Sequence, residues 1–584
     1  MIIRNIFIGI DIGGTWLKGV VYRETGENSS PGDVLGEVMR SEVRRVESGL
    51  SEHSIPEDFE KAVDRLVAEL TRSGETVAGI GISTAGVVDY AGRRLEIAAP
   101  HLQALRSGRW TEQLERRFGA PVSLINDADA AAIGAAAAGY LKGPRTIGVM
   151  PVGTGIGFTL WRNGRRWAPH RMLPLIGSVT TPSGSYDQIA GVSKIAALAE
   201  HDLRKIFTDP EFAQTRLEYE KALAHVICTS CIIYHTDTIL IGGGLAQAIG
   251  QCGYDLSGAV SREIKDSLAP FGKEVEIKVM PEGNHLPLAG AVLLAVGEHR
   301  ARNCEPKKEY GSINTETPLD ASAELHAMSA NEITRLLWQT EQDAGERLEG
   351  SLSEISAAAE VIVRKIREGG RLIYVGAGTS GRLAAIDTVE LSCTFGFPRD
   401  RVYTLISGGL SDAAIEIEDN FEEDASGVPE ILLTGISDKD VVVGISVSGA
   451  AYYVRSALGA AQRFGAYTIF IQESGDRLPP FADACILLRS GREVISGSTR
   501  MKAGTATKKV LNFLSTTAMI ILGRVHGPYM VEVECINDKL ISRARHILHA
   551  LFGLGENEAA ELLAANGNDL RKTIDAITGK DPDE

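Results

Sequence analysis

The sequence predicts an α/β protein of two units, each a sheet with helices packed on it. Three observations predict it. Short β-branched runs end in glycine turns six times, in IFIGIDIGGT, VAGIGISTAG, TIGVMPVGTGIG, TILIGGG, LIYVGAGTSG and VVVGISVSG. That is the usual way an α/β fold offers backbone N–H groups to phosphate, and six such turns imply more than one ligand pocket. Amphipathic segments of helical spacing, such as SEISAAAEVIVRKIREG and AYYVRSALGAAQRFG, follow the turns, so parallel or mixed sheets flanked by helices are expected. Finally, residues 298–320 break the pattern. RARNCEPKKEYGSINTETPLD is charged, holds two prolines and lacks periodicity, which reads as a linker.

The 584 residues correspond to roughly four portions of ~150 residues. With 44% apolar and 23% charged residues the chain is globular rather than disordered. Its 60 Lys and Arg against 76 Asp and Glu give −16, which argues against nucleic acid or an anionic membrane as the main partner. Asp11 interrupts the apolar N-terminal run, so no signal peptide is expected, and no stretch reaches the ~18 apolar residues of a span. Seven scattered cysteines suit a reducing compartment. A soluble cytoplasmic protein is the expectation.

In the first unit, IFIGIDIGGTWLKGVVY and TIGVMPVGTGIGFTLWRNG each read as strand, glycine turn, strand, a weak internal repeat. In the first turn Gly13 and Gly14 allow close backbone approach, Thr15 and Lys18 can meet phosphate oxygens, and Asp11 can hold a metal-bound water. A plain hairpin with an exposed aspartate is the alternative. Gly153, Thr154 and Gly155 repeat the chemistry. Between the loops a β-rich run ends in Asn126 and Asp127 before an alanine-rich helix. Asp127 there can accept a proton from a sugar hydroxyl attacking a γ-phosphate; helix capping by Asp127 or Asp129 is the competing use. Gly242 and Gly243, after the strand TILI, can cradle an adenosine. Cys228 and Cys231 lie in a helical pattern and read as core cysteines, with no metal site expected.

Two phosphate loops, an intervening Asn-Asp and a later glycine triplet come in the order used by sugar kinases of the actin–hexokinase superfamily. Residues 1–300 resemble the ROK family (repressor, open reading frame, kinase) of bacterial sugar kinases. The resemblance implies a two-lobed actin/hexokinase-like (ribonuclease H-like) fold, with Asp127 as catalytic base and Asn126 contacting the sugar. It also implies ATP phosphates bound with Mg²⁺ by the loops at 11–15 and 153–157. No helix-turn-helix precedes Met1, so the kinase branch rather than the repressor branch is expected. Two departures stand out. Leu175-Ile176-Gly177-Ser178 replaces the family's Glu-x-Gly-His sugar clamp, and TTPSGSYDQIAG replaces its cysteine-rich zinc loop.

In the second unit, Leu372–Val375 leads into Gly376-Ala377-Gly378-Thr379-Ser380-Gly381-Arg382, which opens a helix. Hydroxyls and N–H groups at a helix N-terminus make a phosphate site without lysine. A second strand runs into Ser446-Val447-Ser448-Gly449. Such paired turns resemble the SIS (sugar isomerase) phosphosugar-binding domain, an α/β three-layer fold. Asp387-Thr388-Val389-Glu390, the block Ser498-Thr499-Arg500-Met501-Lys502-Ala503-Gly504-Thr505, the TE…S…S…E opening near 315–332 and the helical tail extend the likeness over the whole second unit. They resemble N-acetylmuramic acid 6-phosphate etherase and its relative, the glucokinase regulatory protein.

That resemblance implies elimination of the lactyl ether followed by addition of water, divided between two carboxylates. Glu390 matches the acid. The base falls in the acidic segment 417–424, where Glu423 fits best and Glu422 and Glu418 stay open. Gly378, Thr379, Ser380, Ser446, Ser448, Gly449, Ser498, Thr499 and Arg500 are implied to hold the phosphosugar. Departures are the loss of two prolines after Glu390, Ala451 in place of a threonine, and His326 in place of an aspartate. The organisation expected is a kinase over 1–300, a linker over 301–314, an SIS unit over 315–535 and a helical subdomain over 536–584. SIS pairing implies a homodimer. The expected function is a kinase joined to an etherase acting on its product. The alternatives are an SIS unit that senses a phosphosugar and regulates the kinase, or one acting on another phosphosugar.

Overall fold

A computed structural model describes residues 4–579 except 14–15, 25–28, 49, 51–55, 90–92, 99, 107–108, 142–144, 163–164, 168–172, 201, 303, 305–313, 323, 409–425, 474, 476–477, 533–534 and 536. Two compact units emerge. The first takes the described residues within 1–305, 423–438 and 455–466, and the second takes those within 306–422, 439–454 and 467–584.

The first unit has two five-stranded sheets of one topology. In the first sheet, strand Arg4–Ile12 runs antiparallel to Trp16–Arg23, with Asp11 opposite Lys18. Arg44–Glu47 adds to the outer edge, while Glu75–Thr84 and Val122–Asn126 pair parallel on the other side. The second sheet repeats this, with Arg165–Arg166, Thr159–Arg162 and Thr146–Pro151 antiparallel and Thr238–Gly242 and Glu276–Val279 parallel. The faint repeat in the sequence is therefore one architecture used twice, the two lobes expected. Ile6, Ile8 and Ile10 have no exposed surface, each contributing about 1.5–3 kcal/mol of burial.

Glycine and alanine set how closely the helices of this unit approach the first sheet. A Cβ on Gly81 would lie 1.8 Å from the carbonyl oxygen of Ala291, in helix His285–Arg302. One on Gly290 would lie 2.0 Å from that of Ala130, in helix Asp127–Ala137. The runs DADAAAIGAAAAG and LPLAGAVLLAVG thus meet backbone to backbone at Gly290 and Ala130.

The second unit has a five-stranded parallel sheet in the order Val402–Ile406, Leu372–Gly376, Val441–Ile445, Tyr467–Gln472, Ala484–Leu487. Numbered by sequence, that order is 2-1-3-4-5. The strands LIYVG, VYTLI and VVVGI are buried throughout, as a sheet covered on both faces requires. Helices Leu352–Arg367, Gly378–Phe395 and Lys502–Ile521 belong to that cover. Three further helices, Asp538–Phe552, Glu556–Ala565 and Leu570–Thr578, share a core of Ile547, Leu548, Leu563, Leu570 and Ile574. Asn537 and Asp569 cap the first and last of them. The α/β class, the two lobes and the helical tail agree with the expectation from sequence.

Candidate functional site

In the first unit the sheet register itself gathers the site. Asp11 lies opposite Ser83 on the neighbouring strand. The Ser83 hydroxyl donates to Asp11 Oδ1 at 3.0 Å, and Lys18 Nζ donates to Oδ2 at 3.3 Å. Lys18 is therefore paired with Asp11 across the hairpin. Gly13 closes the turn by donating to the Trp16 carbonyl at 2.9 Å; Gly14 and Thr15 lie outside the described residues.

Strand Val122–Asn126 delivers the next two residues. The helix cap is Asn126, and neither Asp127 nor Asp129 takes that role. The Asn126 side-chain oxygen accepts from the N–H groups of Ala128 (2.9 Å) and Asp129 (3.2 Å), and its amide donates to the Gly86 carbonyl at 2.8 Å. Asp127, at the first helical position, accepts from the Ala128 N–H through Oδ1 at 2.8 Å. Asp129 does something else: it is fully buried, accepts from Thr159 at 2.7 Å and pairs with Arg166 at 2.8 Å. Burial, reinforced by the facing Asp11 carboxylate, pushes Asp127 up to about 7, where a general base works best near neutral pH.

The second glycine loop comes up against this carboxylate. A Cβ on Gly157 would lie 3.4 Å from Asp127 Oδ1. Gly153 donates to the Gly155 carbonyl at 2.9 Å and accepts from Val192 at 2.8 Å, and Thr154 is exposed at the crest. Gly242 and Gly243 abut the same loop. Val152 donates to the Gly242 carbonyl at 3.1 Å, and Gly243, at φ 76°, would place a Cβ 2.6 Å from the Val152 carbonyl. Helix Gly243–Cys252 starts there without a side-chain cap.

Asp187 was missed in the sequence. Its Oδ1 accepts from the Ile156 N–H at 2.7 Å, and burial raises its carboxyl above the usual range. A Cβ on Gly177 would fall 1.9 Å from that oxygen, so the Leu175–Ser178 turn is shaped around Asp187. The hairpin Thr180–Ser185 before it is closed by the Thr181 hydroxyl donating to Gly184 (2.8 Å) and by a capping box between Ser185 and Gln188. Hydrogen bonds thus order the stretch where the sequence lacks cysteines. Cys231 is buried in the core and burial pushes its thiol up to about 11. No cluster of three metal-ligating side chains occurs among the described residues.

In the second unit, the sheet order reverses between strands Leu372–Gly376 and Val441–Ile445, and ligands of open α/β sheets bind in the crevice at such a reversal. Both candidate phosphate turns leave these two strands, whose last residues, Gly376 and Ile445, are paired. The first turn opens helix Gly378–Phe395 at Ala377, with no side-chain cap, so its leading N–H groups take no capping side chain. Gly378, at φ 52°, makes the turn, and Thr379 and Ser380 are half-buried beside it. In the second turn Ser446 Oγ accepts from Ala451 and Ser448 Oγ from Ala450, both at 3.2 Å. Gly449, at φ 72°, closes onto the Ser446 carbonyl.

Glu390 stands exposed on the Gly378 helix, beside exposed Ile386 and Val389. One turn earlier Asp387 is buried, accepting from Tyr374 (2.9 Å) and Ser515 (3.2 Å), with Lys508 at 3.7 Å. Burial raises its carboxyl. Ser498 and Thr499 are half-buried and Arg500 is exposed. Ser329 and Glu332 of the opening motif form a capping box, and His326 sits in a short turn before it. Glu418, Glu422 and Glu423 lie outside the described residues. No helix among the described residues is long and apolar enough to cross a membrane.

Comparisons with known proteins follow the same division. Residues 7–181 match the ROK family, and residues 354–462 match the glucokinase regulatory protein N-terminal SIS domain. The N-acetylmuramic acid 6-phosphate etherase of Synechocystis sp. is 42% identical over 269 residues, 46% of this chain and 88% of that protein. The etherase of Rubrobacter xylanophilus is 39% identical over 282 residues, 47% of this chain and 93% of that protein. Among solved structures, a ROK family glucokinase from Streptomyces griseus in complex with glucose and AMPPNP aligns over 50% of this chain and 99% of its own, with 20% identity and a TM-score of 0.38.

Proposed function

The chain belongs to the N-acetylmuramic acid 6-phosphate etherase family, and from that premise we propose that it is a bifunctional enzyme of amino-sugar catabolism. The first unit transfers the γ-phosphoryl group of ATP to the 6-hydroxyl of N-acetylmuramic acid or a related sugar. The second cleaves the lactyl ether of that product, giving N-acetylglucosamine 6-phosphate and D-lactate. The observation that carries this reading is the pairing of two complementary sites in one chain. One offers a carboxyl held near 7 beside two glycine loops; the other offers an uncapped helix N-terminus at a sheet reversal, with Glu390 on the same helix.

In the kinase, Asp127 accepts the proton of the attacking hydroxyl, Asn126 fixes where Asp127 stands, and the loops 11–15 and 153–157 with Lys18 face the phosphates. Gly242 and Gly243 border the nucleoside. The mutual repulsion of Asp11 and Asp127 is what a divalent cation relieves, and carboxylate plus phosphate oxygens suit Mg²⁺, so Asp11 would hold it. Held there, Mg²⁺ would supply positive charge against the phosphate oxygens.

In the etherase, N–H groups and hydroxyls of Gly378, Thr379, Ser380, Ser446, Ser448 and Gly449, with Ser498, Thr499 and Arg500, take the 6-phosphate. A base, assigned to Glu423, removes the C2 proton of the open-chain sugar. The C3–oxygen bond then breaks as Glu390 protonates the departing lactate, and water adds to the double bond. The kinase is assigned to 1–300, a linker to 301–314, the SIS unit to 315–535 and a helical subdomain to 536–584, working as a cytoplasmic homodimer.

Preformed N-acetylmuramic acid 6-phosphate, supplied without ATP, tests the second unit alone: D-lactate is expected, and its absence overturns the etherase assignment. The match over 354–462 favours a second reading, in which the SIS unit senses a phosphosugar. In that case the same compound changes ATP turnover without being consumed.

A further inference from the structure

Glu493 has no exposed surface, yet it lies in a stretch, 488–501, that holds neither helix nor strand. Its Oε1 accepts from the Ala503 N–H at 2.9 Å and its Oε2 from the Lys502 N–H at 3.2 Å. These are the first residues of helix Lys502–Ile521, whose own cap position, Met501, makes no side-chain cap bond. A carboxylate nine residues back therefore caps the helix and closes the loop 494–501 at its base. Burial raises this carboxyl, opposed by the two N–H groups.

The crest of the loop is pinned from the other side. Gly497 donates to the Thr315 carbonyl at 2.8 Å, and the Ser496 hydroxyl donates to the Glu316 carbonyl at 2.6 Å. A second buried carboxylate stiffens the base. Glu473 accepts from Ser490 Oγ (2.6 Å) and from the N–H groups of Ser490 and Gly491, and Lys502 Nζ donates to the Ser490 carbonyl at 3.2 Å. Within the clamped loop Ser498 and Thr499 are half-buried and Arg500 is exposed.

We propose that Glu493 is a positioning residue for phosphosugar recognition: by closing the loop 494–501 it holds Ser498, Thr499 and Arg500 in the arrangement that meets the 6-phosphate. This rests on the reading of the second unit as a phosphosugar site. The physical argument is preorganisation. A loop ordered during folding does not have to be ordered again when substrate binds. The two N–H donors go to different oxygens of the Glu493 carboxylate, and in Gln one of those oxygens is replaced by an NH₂ that donates instead of accepting.

The test uses the full chain with Glu493→Gln and Glu493→Asp, following D-lactate release from preformed N-acetylmuramic acid 6-phosphate, with thermal melting alongside. In Glu493→Gln, KM for the phosphosugar is expected to rise about tenfold while kcat stays within about threefold, as loss of preorganisation predicts. Inhibition by inorganic phosphate should weaken in parallel, Glu493→Asp should recover part of the loss, and ATP turnover should not change. A wild-type KM in Glu493→Gln, or a fall in kcat at constant KM, overturns the proposal while wild-type lactate release leaves the etherase reading standing. Should the wild type release no lactate, that reading fails, and titration calorimetry with the phosphosugar decides the role of Glu493. Weaker binding in Glu493→Gln supports it; equal binding, or none in either protein, overturns it.

Discussion

The Tyr374 hydroxyl donates a 2.9 Å hydrogen bond to Asp387 inside the second unit, tying the helix that carries Glu390 to the central strand from which it springs. Ser515 and Lys508 hold the same carboxylate from helix Lys502–Ile521. Tyr374→Phe leaves the buried acceptor one donor short and is expected to lower stability by about 1–3 kcal/mol. Urea unfolding of the variant measures this, and D-lactate release should fall more than ATP turnover.

Asp127 sets the pH dependence of the kinase. A base must be ionised to act, so kcat/KM for ATP-dependent phosphorylation is expected to rise as pH passes through about 7 and to level off above it. Asp127→Asn should lower turnover by roughly 10²–10⁴-fold and flatten the profile, with lactate release intact. The stability effect has the opposite sign. A carboxyl raised above its unfolded value binds protons more tightly when folded, so its contribution falls as pH rises from about 4 to about 7. Asp127→Asn should therefore match the wild type in melting temperature near pH 4 and exceed it at pH 8.

Gly81 meets the Ala291 carbonyl with no room for a methyl group. Gly81→Ala is expected to cost about 1–3 kcal/mol or more through displacement of helix His285–Arg302. Gly36 is the control: it lies in helix Pro31–Arg40 and a Cβ there makes only ordinary contact. Gly36→Ala should stabilise by about 0.5–1 kcal/mol. Calorimetric melting of the two variants should shift in opposite directions.

Glu390→Ala should abolish D-lactate release from preformed phosphosugar while ADP formation continues at the wild-type rate. The residue is exposed, so the melting temperature of the variant should stay unchanged. Loss of both activities would remove Glu390 from the role of acid.

The glycine turns were legible because each is a local event, a buried strand that must turn within two or three residues. The duplicated sheets were legible only as a weak repeat, because antiparallel and parallel edges look alike in one strand's sequence. Asn126 was read as a sugar contact and Asp127 or Asp129 weighed as caps, since Asn and Asp cap helices about equally well; the Gly86 carbonyl, distant in sequence, is a further partner of Asn126. Asp187 and Glu493 were not singled out, and Asp387 entered only as the first residue of the Asp387–Glu390 stretch with no role of its own, for a common reason. A lone carboxylate reads as a solvated charge until the N–H and hydroxyl groups that bury it are brought from elsewhere in the chain.

The most direct measurement supplies the whole chain with ATP, Mg²⁺ and N-acetylmuramic acid and follows ADP and D-lactate together. The bifunctional account predicts that both appear, with lactate lagging and then matching ADP one for one. ADP without lactate, together with no lactate from the preformed 6-phosphate, would contradict it.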